Sequence, residues 1–187
     1  MVEVRGLDLP GVLEIRPTRH ADDRGFFSEV WNRDRWGEAG IDVNFVQDNH
    51  SLSKERGVLR GLHYQAPPMA QAKLVRVTRG AVFDVAVDIR SGSPTFGRWV
   101  STTLSAELWN QLFIPAGFAH GFLTLEPESE VVYKVSAPYS AEHDRAIRFD
   151  DPDIAIEWPI DAHELTLSDK DRSAPRLADV QTGLAFP

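Results

Sequence analysis

Short runs rich in Val, Ile, Leu, Thr, Phe and Trp, separated by Gly, Pro and polar residues, recur along the chain, a pattern that predicts many short β-strands. Residues 72–79 read A-K-L-V-R-V-T-R, and after Gly80 residues 81–89 read A-V-F-D-V-A-V-D-I, with Asp84 and Asp88 on one parity. These two runs are expected as strands joined at a glycine turn. Runs at 99–104, 111–114, 121–125 and 130–135 continue the series at spacings of about ten residues. A sandwich or barrel is the expected architecture. Helix is scarce: 33–39, ended by Gly40, predicts a short one, and 106–110 a turn. From Asp150 onward the chain carries Pro152, Pro159, Pro175 and Pro187, keeps no sustained period, and is expected to wrap the barrel. Residues 1–187 are therefore read as one domain, long enough for a sizeable core.

Composition narrows the function classes. The balance of 20 basic and 28 acidic side chains, a net of -8, argues against general affinity for nucleic acid, because there is no positive excess to displace counterions. An anionic ligand would have to be held by a few local Arg and Lys residues. With no cysteine, disulfides, thiolate nucleophiles and zinc-thiolate sites are excluded, which fits a reducing compartment. No long apolar run is present to suggest a signal peptide or a membrane span. A soluble, cytoplasmic protein is the expectation.

Candidate chemistry concentrates at 57–80. In an extended run His63 and Gln65 share a face, with Arg60 close by and Lys73 on a neighbouring run. A second histidine, His120, sits in the apolar and turn-rich stretch 113–122, and Tyr133 lies in the strand-like run at 130–135. Each has an ordinary structural explanation: a core histidine with its hydrogen bonds met, a solvated lysine, a packed tyrosine with a wet hydroxyl. Spacing changes the weights. His63-x-Gln65, then Lys73, Gly80, and later Pro115-x-Gly117-x-x-His120, follow the frame by which cupins gather four metal ligands. A protonated lysine repels a cation, and glutamine is a poor substitute for imidazole. The frame thus predicts a cupin-like pocket without a metal, used for acid–base chemistry.

Taken in order, R-G-F-F-S-E from Arg24, Q-D-N-H-S from Gln47, G-V-L-R-G-L-H-Y-Q from Gly57, D-I-R from Asp88 with S-P-T-F-G from Ser93, P-A-G-F-A-H-G-F from Pro115, Tyr133-Lys134, Trp158-Pro159 and L-S-D-K-D from Leu167 resemble the dTDP-4-dehydrorhamnose 3,5-epimerase family. The resemblance implies an all-β fold, a cupin-type jelly-roll or double-stranded β-helix barrel with a few short helices. It implies a dTDP-linked 4-keto-6-deoxyhexose substrate, no cofactor, and a homodimer. By the same resemblance His63 is the base, Asp171 its orienting carboxylate, Lys73 the cation near the ketone, and Tyr133 the acid on the opposite face. Binding roles fall to Arg24, Phe26 and Glu29, near the nucleotide and often across a dimer interface, and to Gln47, Asp48 and Asn49. Arg60 and His120 are implied close to the sugar, Tyr139 stacked on the base, and Asp144 and Lys170 as further binding positions. Asp169 and Asp171 share a face in an extended backbone, so parity alone leaves both as partners of His63. Three other readings compete: a single-carbon epimerase, a non-catalytic sugar-nucleotide-binding cupin, and a metal-dependent cupin dioxygenase.

Overall fold

The protein's structure, a computed structural model, describes residues 2–186; residues 1 and 187, the ends of the expected domain, lie outside the described residues. Two antiparallel sheets face one another. The larger has the order β1 (Glu3–Gly6), β2 (Leu13–Arg16), β10 (Gln111–Ile114), β7 (Lys73–Arg79), β12 (Ser129–Val135) and β5 (Gln47–Ser53). The other has the order β13 (Asp144–Ala146), β6 (Leu59–Gln65), β11 (Phe118–Thr124), β8 (Ala81–Asp88) and β9 (Trp99–Ser105). A separate exposed hairpin pairs β3 (His20–Asp22) with β4 (Gly25–Phe27).

Alternation along the strands fills the space between the sheets. Val75 and Val77 of β7, Leu112 and Ile114 of β10 and Val131 of β12 meet Val82 and Ala86 of β8, Leu104 of β9 and Phe118 and Phe122 of β11. Burying each of the larger side chains is worth roughly 1.5–3 kcal/mol. The outward face of the smaller sheet is also covered: Leu62, Tyr64, Val85, Val87 and Ala119 pack against Ile147, Ile154, Leu177 and Leu184 from the C-terminal region. Burial on both faces explains why 81–89 reads as a nearly continuous apolar run.

The strands expected at 72–79 and 81–89 form as β7 and β8, joined at Gly80, but they do not pair with each other. β7 lies in the larger sheet and β8 in the smaller, so Gly80 carries the chain between sheets. A Cβ there would lie 2.4 Å from Ser129 Oγ, and φ is +73°, so only glycine fits without strain. β11 begins at Phe118, three residues before the run expected at 121–125.

The expected helix forms as α1 (Arg33–Glu38). Asn32 Oδ1 caps it by accepting from the backbone N–H groups of Asp34 at 3.1 Å and Arg35 at 3.2 Å. Gly40, at φ +91°, then turns the chain so that the Ile41 N–H donates to Trp36 O at 2.8 Å. Trp36 and Ile41 cover Ile15, Leu74 and Phe113 on the outer face of the larger sheet. The segment after Asp150 has little regular structure, mainly α2 (Asp169–Arg172) and two single 3-10 turns.

Candidate active site

Between the sheets, a cavity of about 590 Å³ is lined by Gln47, Asn49, Arg60, His63, Lys73, His120, Tyr133, Tyr139, Asp144, Lys170 and Asp171, among others. Its size suits a small organic ligand. Arg60 and His63 have opposite parity in β6, and a bulge lets both line it. His120 opposes His63 while Phe122 opposes Arg60, so three steps on β6 match two on β11. Gly61 makes this possible: a Cβ there would lie 2.5 Å from Gly121 Cα, and φ is +130°.

His63 Nε2 lies 2.5 Å from Asp171 Oδ1. The carboxylate side chain is 3% exposed and the imidazole 33%, so the pair has a sealed end and an open one. A carboxylate only accepts, so Nε2 carries the proton and Nδ1 is left as the basic nitrogen. Asp171 stands in the first turn of α2, whose N-cap Ser168 donates from Oγ to Asp171 Oδ2 at 2.8 Å. Burial alone would raise the Asp171 carboxyl, but the hydrogen bond and charge of His63 and the Ser168 hydroxyl bring it below its usual value. Asp169 is exposed. Helical geometry separates the two acids that an extended chain would place on one face.

Lys73 comes from the sheet opposite β6 rather than from a strand beside it, and its Nζ donates to His63 O at 3.3 Å. Burial lowers its pKa from 10.5 to about 8, against the pull of Asp84 and Asp144. Tyr133, on β12 in the same sheet as Lys73, has its phenol raised above its usual value, chiefly by burial. It therefore stays protonated at neutral pH.

Gln65 has both ends of its amide committed to backbone: Nε2 donates to Met69 O and Pro138 O, and Oε1 accepts from the Ser140 N–H. It holds the cavity wall in place. Tyr139, 61% exposed, stands at the mouth; its N–H donates to Gln47 Oε1 at 3.0 Å, and Lys170 pairs with Asp144 beside it.

Four of the candidate residues are not among those lining this cavity. Asp48 alternates with Gln47 and Asn49 along β5 and pairs with Lys134 at 2.9 Å. Arg24 and Phe26 belong to the exposed β3–β4 hairpin, where Arg24 pairs with Asp22 at 2.6 Å and Phe26 packs edge-on against Trp109 at 4.7 Å. Glu29 pairs with Arg35 at 3.0 Å. Conversely, two residues with no role expected from sequence support the site. Ser168 could have been found from its S-x-x-D spacing, a capping signature. Asp84, fully buried, takes both of its carboxylate contacts from His120 Nε2, at 2.9 and 3.0 Å; its only signal was an acid inside an apolar run.

Fold and site together define a cupin-type barrel equipped for general acid–base chemistry. The family model for dTDP-4-dehydrorhamnose 3,5-epimerase matches residues 6–179. A curated dTDP-4-dehydrorhamnose 3,5-epimerase of Sinorhizobium fredii is 52% identical over 183 residues, 97% of this chain and 93% of the relative. Among solved structures, the Legionella pneumophila dTDP-6-deoxy-D-glucose-3,5-epimerase in complex with dTDP-4-keto-L-rhamnose superposes with a TM-score of 0.95 at 43% identity, covering 100% of both chains. A 3'-monoepimerase of Streptomyces bikiniensis, in complex with dTDP-quinovose, gives a TM-score of 0.85 at 39% identity, covering 92% of this chain and 86% of that one. The chain belongs to the dTDP-4-dehydrorhamnose 3,5-epimerase family.

Proposed function

We propose that the protein epimerises dTDP-4-dehydro-6-deoxy-D-glucose at C3 and C5, giving dTDP-4-dehydro-L-rhamnose. The observation that carries this reading is the grouping of the His63–Asp171 pair, the buried Lys73 ammonium and the Tyr133 phenol around one cavity. A hydrogen on a carbon beside a ketone is acidic only if a base is placed and the enolate oxygen is stabilised. His63 Nδ1 takes that proton, and Asp171 stabilises the resulting imidazolium. The electron pair moves onto the ketone oxygen, where Lys73 offsets the developing charge. Tyr133 then gives its proton to the carbon. Because β6 and β12 belong to opposite sheets, a sugar ring between them presents one face to His63 and the other to Tyr133, so the centre inverts. Solvent returns a proton to the phenolate and takes one from the imidazolium. Every step is a proton transfer, and none calls for a metal or redox cofactor.

Gln47, Asn49, Arg60, His120, Tyr139, Asp144 and Lys170 are assigned to the sugar and nucleotide, with the Tyr139 ring at the mouth available to stack on a base. Arg24, Phe26 and Glu29 are assigned to the cavity of a second copy in a homodimer, a role that fits their absence from this cavity's lining. Asp48, paired with Lys134, is left without a binding role in this cavity.

Solvent deuterium tests the assignment. Turnover in D₂O should place label at both C3 and C5; label at one carbon would establish a single-carbon epimerase, the second reading favoured by the likeness to the S. bikiniensis monoepimerase. A bound dTDP-sugar with no exchange would establish a binding module. Turnover should survive chelation, and sedimentation should give twice the mass of one chain.

A further inference from the structure

His120 and His63 are directly opposed across the β11–β6 pair, and each ring has a carboxylate behind it. The two pairs differ in access. His63 is partly open to the cavity, whereas the His120 side chain is 7% exposed and Asp84 is completely buried. His120 Nε2 lies 2.9 and 3.0 Å from the two Asp84 oxygens, a bifurcated contact that a carboxylate can make only as acceptor. The ring lines the cavity, while Asp84 does not.

We propose that Asp84 is a positioning residue for the reaction: it confines the His120 proton to Nε2, so that Nδ1 is a standing hydrogen-bond acceptor for a hydroxyl of the bound sugar. This rests on the epimerase reading above. Burial keeps His120 below its usual pKa, and the nearby Lys73 and His63 charges act in the same direction, so the ring is neutral and has one N–H to place. A neutral imidazole with a fixed acceptor orients a sugar hydroxyl without competing with His63 for the acidic carbon proton. It also adds no second cation beside Lys73.

The ¹⁵N NMR spectrum of the wild-type ring nitrogens at pH 7, with His120 assigned by its loss in a His120→Gln variant, decides the tautomer directly. A proton on Nε2 alone supports the proposal; a proton on Nδ1, or on both nitrogens, overturns it. Asp84→Asn should then lower kcat/KM by about 10- to 100-fold, with dTDP affinity within about threefold and the Nε2–H signature altered. Wild-type turnover in that variant would overturn the proposal. If the wild-type protein takes up no solvent deuterium, the epimerase reading fails, while the spectrum still tests what Asp84 does to His120. Should Asp84→Asn fail to fold, the wild-type spectrum remains decisive.

Discussion

Replacing Lys73 with methionine should stabilise the fold while abolishing turnover. The side chain is 8% exposed and its pKa falls from 10.5 to about 8, so the folded state holds the ammonium against a penalty of burial. At about 1.4 kcal/mol for each pH unit, the penalty is roughly 3 kcal/mol while the amine is charged in both states. Methionine keeps the volume, removes the charge, and gives up the hydrogen bond to His63 O, worth about 1 kcal/mol. The expected net gain at pH 7 is therefore about 2 kcal/mol. It must also depend on pH. Below about 8 the lysine is protonated folded and unfolded, and the full penalty applies; between about 8 and 10.5 only the unfolded state stays charged, so wild-type stability rises with pH and the gain from Lys73→Met disappears. Thermal melts of both proteins at equal concentration, at pH 7 and pH 10, measure this. Equal melting temperatures at pH 7, or a difference that does not change by pH 10, would refute the reasoning. Turnover should follow the same group in the opposite sense, falling above about pH 8 as Lys73 loses the charge proposed to face the enolate oxygen.

Tyr133→Phe should lower product formation by about 10² to 10⁴ while solvent deuterium still enters unreacted substrate through His63; unimpaired inversion would remove Tyr133 from the role of acid. Ser168→Ala loses both the α2 cap and the hydrogen bond that aims Asp171, so it should cost about 1 kcal/mol of stability and roughly tenfold in kcat. Ser168→Thr should restore both, measured by melting and by steady-state rates. Gly61→Ala meets Gly121 Cα at 2.5 Å in a left-handed backbone and should cost roughly 2–4 kcal/mol in denaturant titrations.

How much was legible follows from the range over which each signal acts. β7, β8, β9, β10 and β12 show in the sequence because apolar residues on the core side mark them locally. β5 does not: Q-D-N-H-S-L-S is polar on both parities, since one face lines the cavity and the other is outside. A strand that serves a polar site loses the alternation by which strands are recognised. The residues that line the cavity were legible mainly through motifs of the family. Strand parity by itself would have put Arg60 and His63 on opposite faces and left Asp169 level with Asp171.

Both of those errors are removed by local backbone geometry that a period of two cannot express. At Gly61 the bulge inserts one residue into β6, which turns Arg60 back toward His63. At Ser168 a capped turn of helix buries Asp171 against His63 and leaves Asp169 exposed. Gly80 acts on a larger scale, sending β8 into the sheet opposite β7, so that Lys73 reaches His63 from the opposite sheet instead of from a neighbouring strand. A ligand held between the sheets then has His63 on one sheet and Lys73 and Tyr133 on the other. The inversion proposed for this site depends on that separation, and the separation depends on a glycine whose added Cβ would strike Ser129.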